Sequence, residues 1–225
     1  MPLKLFLNGD ENRQITFTPV RLINGGYTGR SQEDVMAHVN ELKILGIQAP
    51  ERTPCFFSKA PHMIDSENRV SVLDHDCSGE AEYVLLYQNG TWYFTCGADV
   101  FDKRVEPLDT AKSKHMYSNK IARDVWLLDD VRDHFDQLVM RSWHGEGRAE
   151  LYQESRLSSI LPPDDILRYL AEYGKGNPEE GFILYSGTFP AFAEGMPFTD
   201  CFEVELEDPV LKRAISLRYT LSILK

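Results

Sequence analysis

Asn89-Gly90 stands between two runs rich in apolar and aromatic residues, 80–88 and 91–99. An Asn-Gly pair in that setting is the strongest short signal for a β-hairpin closed by a two-residue loop. Such a loop leaves little freedom of register. Gln88 then faces Thr91 and Tyr87 faces Trp92. Continuing outward, Glu82 faces Gly97 and Glu80 faces Asp99. Side chains alternate between the two faces of a strand, so Glu80, Glu82 and Asp99 share one face. Directly opposed residues sit about 5 Å apart at Cβ.

Like charges placed so close repel one another. The sequence leaves several resolutions open. The hairpin end is exposed, a bulge breaks the register, lysines or arginines neutralise the acids, or a divalent cation binds them. A set of carboxylates without Cys or His suits Mg²⁺ or Mn²⁺, with Ca²⁺ as an alternative, rather than zinc. Gly97, opposite Glu82, is expected to leave room for a ligand. Lys59, Lys112, Lys114 and Lys120 are all available as cations, and nothing in their spacing selects one. Asp102 is near enough in sequence to compete with Asp99.

His38 and Glu41 lie three positions apart and would share a helix face. That pairing suits either a water-activating dyad or a plain surface ion pair. The remaining histidines (62, 75, 115, 134 and 144) share no ligand spacing. Residues 74–77, Asp-His-Asp-Cys, read as a turn.

The chain carries 24 Lys+Arg against 35 Asp+Glu, a formal charge of −11. That balance argues against a nucleic-acid backbone or an anionic membrane surface as partner. No run approaches the roughly 18 apolar residues of a membrane helix. The N-terminal apolar stretch is too short for a signal-peptide core, so a cytoplasmic location is the expectation. Cys55, Cys77, Cys96 and Cys201 form no CxxC pair and read as buried free thiols. P-loop, GxSxG, HExxH and strand-borne GxGxxG patterns are absent.

With 225 residues, no internal repeat and no Gly/Ser linker, the chain reads as one domain over 1–225, with N-terminal strands in 1–24 and a core in 25–225. Residues 3–17 read as one or two strands turning at Asn8-Gly9, and Asn24-Gly25-Gly26 reads as a turn. Val35, Val39, Leu42 and Leu45 repeat at helical spacing over 31–45, with Ser31 as N-cap and Gly46 as the C′ residue. Segment 125–143 reads as helical in part, and a short helix opens at Pro162-Pro163-Asp164 and runs to Tyr173. Strands are expected at 181–186, 200–206 and 214–224. The class is α+β and predominantly β.

The motifs, taken in order, resemble the fumarylacetoacetate hydrolase superfamily, most closely an uncharacterised bacterial branch described as a domain of unknown function. GYTGRSQEDVMAHVNEL, followed by Pro50, Pro54 and Phe56-Phe57, is similar to the superfamily's HxxE segment. SGEAEYVLL resembles its Glu-x-Glu metal strand, and CGADVFDKRVE the strand with the third metal carboxylate. SKHMYSNKIARDVW resembles the lysine-bearing segment, and SGTFPAF its Gly-Thr-Pro turn, with Phe189 intruding. The resemblance implies a mixed β-sandwich roll with flanking helices. It implies Glu80, Glu82 and Asp99 as ligands of Mg²⁺ or Mn²⁺ (or Ca²⁺), and His38 with Glu41 as a catalytic dyad. Lys114 becomes the substrate-binding lysine, with Thr188 and Arg30 as further substrate contacts. The implied activity is C–C bond hydrolysis of a small 2-oxo or diketo acid, with decarboxylase, hydratase and isomerase activities as alternatives and a non-catalytic metal and acid binder as another. The resemblance also implies a homodimer.

Overall fold

A computed structural model of the chain describes residues 1–44, 50–192 and 197–225, without the side chains of residues 38 and 41–43. The N-terminal part holds β1 (Leu3–Leu7), β2 (Gln14–Phe17), β3 (Arg21–Gly26), helix α1 (Gln32–Ile44), β4 (Cys55–Lys59), β5 (Ile64–Asp65) and β6 (Arg69–Val72). The middle holds β7 (Cys77–Gln88), β8 (Thr91–Asp102), helix α2 (Thr110–His115), β9 (Asn119–Ile121), β10 (Asp124–Leu127), helix α3 (Leu128–Val131) and β11 (Val139–His144). The remainder holds β12 (Glu150–Arg156), helix α4 (Pro163–Glu172), β13 (Phe182–Tyr185), β14 (Cys201–Asp208) and β15 (Arg213–Ile223). No described helix is long and apolar enough to cross a membrane.

The strands form two sheets. The larger runs β2-β1-β10-β8-β7-β13-β3-β4, with β9 added beside β8 and β5 beside β9. The smaller runs β12-β11-β14-β15-β6. The long hairpin β7-β8 lies at the centre of the larger sheet and has the register set by its loop: Gln88 opposite Thr91, Glu82 opposite Gly97, Glu80 opposite Asp99. Asn89 (φ 52°) and Gly90 (φ 72°) are both left-handed, the conformation this two-residue turn demands.

The two faces of the hairpin serve different cores. Ala81, Tyr83, Leu85, Phe94, Cys96 and Ala98 join Met140, Phe202, Val204 and Leu217 of the smaller sheet in one buried cluster. Tyr83 stacks on Phe94 with centroids 5.5 Å apart. On the other face Val84 and Leu86 join Leu5, Phe17, Ile121 and Ile183. Glu80, Glu82 and Asp99 continue that second face beyond its apolar part. Position, rather than strand type, therefore decides which end is core and which end carries chemistry.

One expected local structure differs. Asn24-Gly25-Gly26 ends strand β3, flanked by parallel β13 and antiparallel β4, and is not a turn. A Cβ on Gly25 would lie 2.8 Å from Ser186 O, so the glycine serves close backbone approach. Segment 125–143 is helical in part, as expected: its centre is helical, while Trp126 pairs with Phe94 as part of β10 and β11 begins at Val139. Of the apolar stripe read at helical spacing, Leu127 ends β10, Val131 lies in α3, Phe135 lies in the short 3-10 helix that follows, and Leu138 directly precedes β11. Ser31 does cap α1, its Oγ accepting the Asp34 N–H at 3.2 Å, while Leu45 and Gly46 fall outside the described residues. Cys77, Cys96 and Cys201 are buried, Cys55 is half-buried, and all four are free.

Candidate metal centre

The register brings one carboxylate oxygen each of Glu80, Glu82 and Asp99 within 4.8 Å of one another. Glu82 and Asp99 are buried and Glu80 is half-buried. The Gly187 N–H donates to Glu82 Oε2 at 2.6 Å. Glu82 Oε1 and Asp99 Oδ1 are buried without a hydrogen-bond donor among the described residues. Buried polar atoms normally find partners, so two orphaned carboxylate oxygens in one cluster fit the demand of a hard divalent cation. Burial, opposed by Lys114, pushes the Glu80 carboxyl up to about 7. Burial and then the nearby Asp99 drive Glu82 well above the usual carboxylate range.

Packing selects among the four lysines. Lys114 lies in α2, whose Asp109 cap accepts the Lys112 N–H at 3.0 Å. Ser113 fixes the helix to the end of β8, its Oγ donating to Asp102 O at 2.7 Å. The buried Lys114 ammonium then pairs with Asp99 and stands 3.8 Å from Glu80 Oε2. Burial alone would pull its pKa down, but Asp99, Glu80 and Glu82 outweigh that and hold it above the ordinary lysine range. Lys112 is exposed and pairs with Asp109, and Lys120 pairs with Asp65.

Lys59, which spacing did not favour, belongs to the same cluster. Its side chain is 2% exposed, with Nζ 3.6 Å from Asp99 Oδ1. It donates to Asn119 Oδ1 at 2.5 Å, and Asn119 donates to Asn24 Oδ1 at 3.0 Å. Burial lowers the Lys59 pKa, with Asp99 working against the shift. The available sequence signal was the alternation of Cys55, Phe57 and Lys59 along β4, which turns Cys55 and Phe57 to the cavities beside the cluster.

Gln153 is a second residue that spacing missed. It is buried on β12, and its Oε1 accepts the Ala81 N–H at 3.1 Å and the Ser142 hydroxyl at 2.9 Å. Its Nε2 donates to Thr188 Oγ1 at 2.9 Å and Phe189 O at 2.8 Å. One amide thus ties the residue between Glu80 and Glu82 to the 186–190 connection. Thr188 lines the cavity, but its hydroxyl proton is already given to Ala81 O at 2.9 Å.

Other expectations meet different outcomes. Gly97 does not open room for a ligand. A Cβ there would lie 2.6 Å from both Tyr185 Cε1 and Lys120 O, so the space is filled by the Tyr185 ring. Asp102 does not compete with Asp99, because its Oδ1 accepts the Arg104 and Val105 N–H groups at 2.9 Å each. Arg30 is not brought to the cluster; its Nε donates to Ile160 O at 2.8 Å and it pairs with Asp136. His38 and Glu41 lie on α1, and their side chains fall outside the described residues.

A cavity of about 310 Å³ opens onto Glu80, Glu82, Lys114 and Thr188. Glu106 lines it too, half-buried, with its pKa raised by burial against the pull of Lys114.

A family model described as "Protein of unknown function (DUF2848)" matches residues 25–219. The chain belongs to this family. Comparison of this DUF2848 chain with curated protein sequences gives no match. Solved structures share its fold. One is 2-keto-3-deoxy-D-arabinonate dehydratase complexed with magnesium and 2,5-dioxopentanoate, with a TM-score of 0.65 and 15% identity over 96% of this chain and 78% of that one. Another is Cg1458, with a TM-score of 0.64 and 16% identity over 95% of this chain and 81% of that one. A third is 4-oxalocrotonate decarboxylase from Pseudomonas putida G7 complexed with calcium and acetate, with a TM-score of 0.55 and 14% identity over 92% and 78%. The fold of the DUF2848 chain is accordingly α+β, mostly β and fumarylacetoacetate-hydrolase-like.

Proposed function

We propose that this protein is a divalent-metal-dependent enzyme acting on a small 2-oxo or diketo acid, working as a homodimer. The observation that carries the reading is the cluster of Glu80, Glu82 and Asp99, in which Glu82 Oε1 and Asp99 Oδ1 accept no hydrogen bond among the described residues, beside the cavity that Glu80 and Glu82 line. Glu80, Glu82 and Asp99 would hold Mg²⁺ or Mn²⁺, with Ca²⁺ an alternative. When bound, the cation supplies Lewis-acid charge to a substrate's carboxylate and keto oxygens. Two neighbours with this fold carry magnesium with 2,5-dioxopentanoate and calcium with acetate, which supports the choice of ion and ligand class.

The chain's own groups complete the chemistry. Lys114 is held charged by the carboxylates, and its ammonium faces the cavity where negative charge develops on the substrate. Gly187 N–H fixes the Glu82 carboxylate through one oxygen and leaves the other turned inward. Gln153 holds Ala81 and Thr188 at fixed spacing. His38 with Glu41 would activate water if the bond broken is C–C and the reaction hydrolytic. The dehydratase and decarboxylase among the neighbours support lyase chemistry on the same groups equally well.

The test is calorimetric titration with Mn²⁺, then turnover of acylpyruvates, oxaloacetate and 2-oxo-3-deoxy acids. One Mn²⁺ per chain and metal-dependent turnover are expected. Lys114→Met should lower kcat/KM on the order of 10²–10³-fold. Absence of Mn²⁺ binding would sink the proposal, and tight acid binding without turnover would leave a binding protein.

A further inference from the structure

Beyond the ion and the 2-oxo acid head, the cavity carries information about the rest of the substrate. The 310 Å³ cavity at Glu80, Glu82 and Lys114 and a neighbouring one of about 340 Å³ share Tyr27, Phe57, Glu106, Pro107 and Thr110 as lining. A ligand whose head lies at the carboxylate cluster therefore extends past Glu106. Among the described residues no hydrogen bond or ion pair engages the Glu106 carboxylate. Its backbone is fixed, the carbonyl accepting the Thr110 hydroxyl at 3.3 Å and the N–H donating to Asp102 O at 3.0 Å. A held, half-buried and unpaired acceptor on the wall of a cavity is a recognition group for a ligand donor.

Charge points the same way. With Lys114, Lys59 and all three carboxylates ionised, as a bound divalent ion would hold them, the cluster and the ion leave one positive charge. A single substrate carboxylate neutralises it. Three described cations near this region already have partners. Lys112 pairs with Asp109 at 2.9 Å, Arg104 with Asp76 at 3.2 Å, and Arg52 lies over the Tyr173 ring at 3.9 Å. A second carboxylate at the far end would meet Glu106 and pay a like-charge cost in a partly desolvated channel.

We infer that Glu106 is a specificity-determining residue, and that the substrate is a monocarboxylic 2-oxo acid whose tail carries a hydroxyl group rather than a second carboxylate. The tail hydroxyl donates to Glu106 while Tyr27 and Phe57 cover its carbon chain. This inference rests on the proposed metal-dependent reading of the same site.

The experiment is calorimetric binding of three matched probes to the Mn²⁺-loaded full chain: 5-hydroxy-2-oxopentanoate, 2-oxopentanoate and 2-oxoglutarate. The hydroxyl probe should bind about tenfold or more tighter than 2-oxoglutarate, with 2-oxopentanoate between them. Glu106→Gln should shrink the hydroxyl-over-carboxylate ratio to about threefold or less, and Glu106→Arg should invert it. A 2-oxoglutarate affinity equal to or above that of the hydroxyl probe overturns the inference, as does a ratio unmoved in Glu106→Gln. Mn²⁺ titration of each variant separates the causes. Loss of Mn²⁺ binding in Glu106→Gln overturns the inference by making Glu106 part of the metal centre. If the Mn²⁺-loaded protein binds none of the probes, the substrate class falls and the metal centre stands. If wild type binds no Mn²⁺, the proposed function itself falls first.

Discussion

The same residue types are arranged in two opposite ways in this molecule. On the smaller sheet, Arg141 pairs with Glu154, with Glu207 at 2.6 Å and with Glu205 at 3.6 Å. Arg148 pairs with Glu203 at 2.6 Å and Glu205 at 2.7 Å, and stacks over Trp143. These side chains are partly exposed, and water screens what the pairs leave over. At the far end of the β7-β8 hairpin, Glu80, Glu82 and Asp99 face two buried lysines, and two of their oxygens remain without a donor. The surface ladder sets four carboxylates against two guanidinium groups, and because water screens the excess it contributes little. The buried cluster sets three carboxylates against two lysines, and its excess is out of reach of water, where a bound cation would offset it. What separates the two regions is therefore solvent: excess charge on a wetted surface needs no partner, whereas excess charge in a buried cluster calls for one.

The largest expected effect comes from breaking the buried side. Glu82→Gln keeps an oxygen for the Gly187 N–H but removes a ligand charge. Wild-type protein at a hundredfold excess of Mn²⁺ over its Kd should gain about 2.7 kcal/mol, a rise in Tm of about 5–10 °C. In Glu82→Gln that rise should vanish and turnover with it, while the metal-free Tm stays level or increases. A metal-free variant that melts well below wild type would mean the acids serve folding, and the contrast with the surface ladder would collapse.

A smaller effect tests whether burial, rather than location in one sheet or the other, sets the contrast. His144 ends β11 beside the ladder, is 5% exposed, and has a buried Nε2 without a partner among the described residues. Burial, helped by Lys103, lowers its pKa to about 4. The folded state binds this proton less readily than the unfolded chain, whose histidine titrates near 6.5. The contribution is therefore complete above about pH 6.5 and lost as pH falls toward 4. Urea titrations across that range should show the acid limb in wild type and a flatter one in His144→Phe.

The smallest effect belongs to the ladder. Glu154→Gln should change stability by less than about 1 kcal/mol and leave turnover unaltered, read by denaturant melts and the same assay. A loss of several kcal/mol would show that the ladder is not screened and would weaken the contrast from the other side.

Much of this was legible before any tertiary information. The turn at Asn89-Gly90 set the register of twelve-residue strands, and period-two alternation then placed Glu80, Glu82 and Asp99 on one face. Both are local consequences of loop geometry and pleat, which a sequence carries residue by residue. The same local reasoning failed for Asn24-Gly25-Gly26. There, glycines that resemble a turn are needed because the Ser186 backbone, distant in sequence, packs against them.

What only the tertiary structure decided is the company those carboxylates keep. The choice of Lys114 over Lys112 and Lys120, the addition of Lys59, and the displacement of Arg30 to Ile160 and Asp136 all depend on which strands become neighbours. So do the Tyr185 ring over Gly97, the Gln153 amide at Ala81 and the exposed face of Glu106 toward the cavity. Strand order arises from burying whole faces against one another, a property summed over the chain that no short window contains. The sequence by itself determined that three acids would meet on one hairpin face. The fold determined that they meet in a buried, lysine-flanked cavity rather than in water, and that difference turns a repulsive cluster into a candidate metal centre.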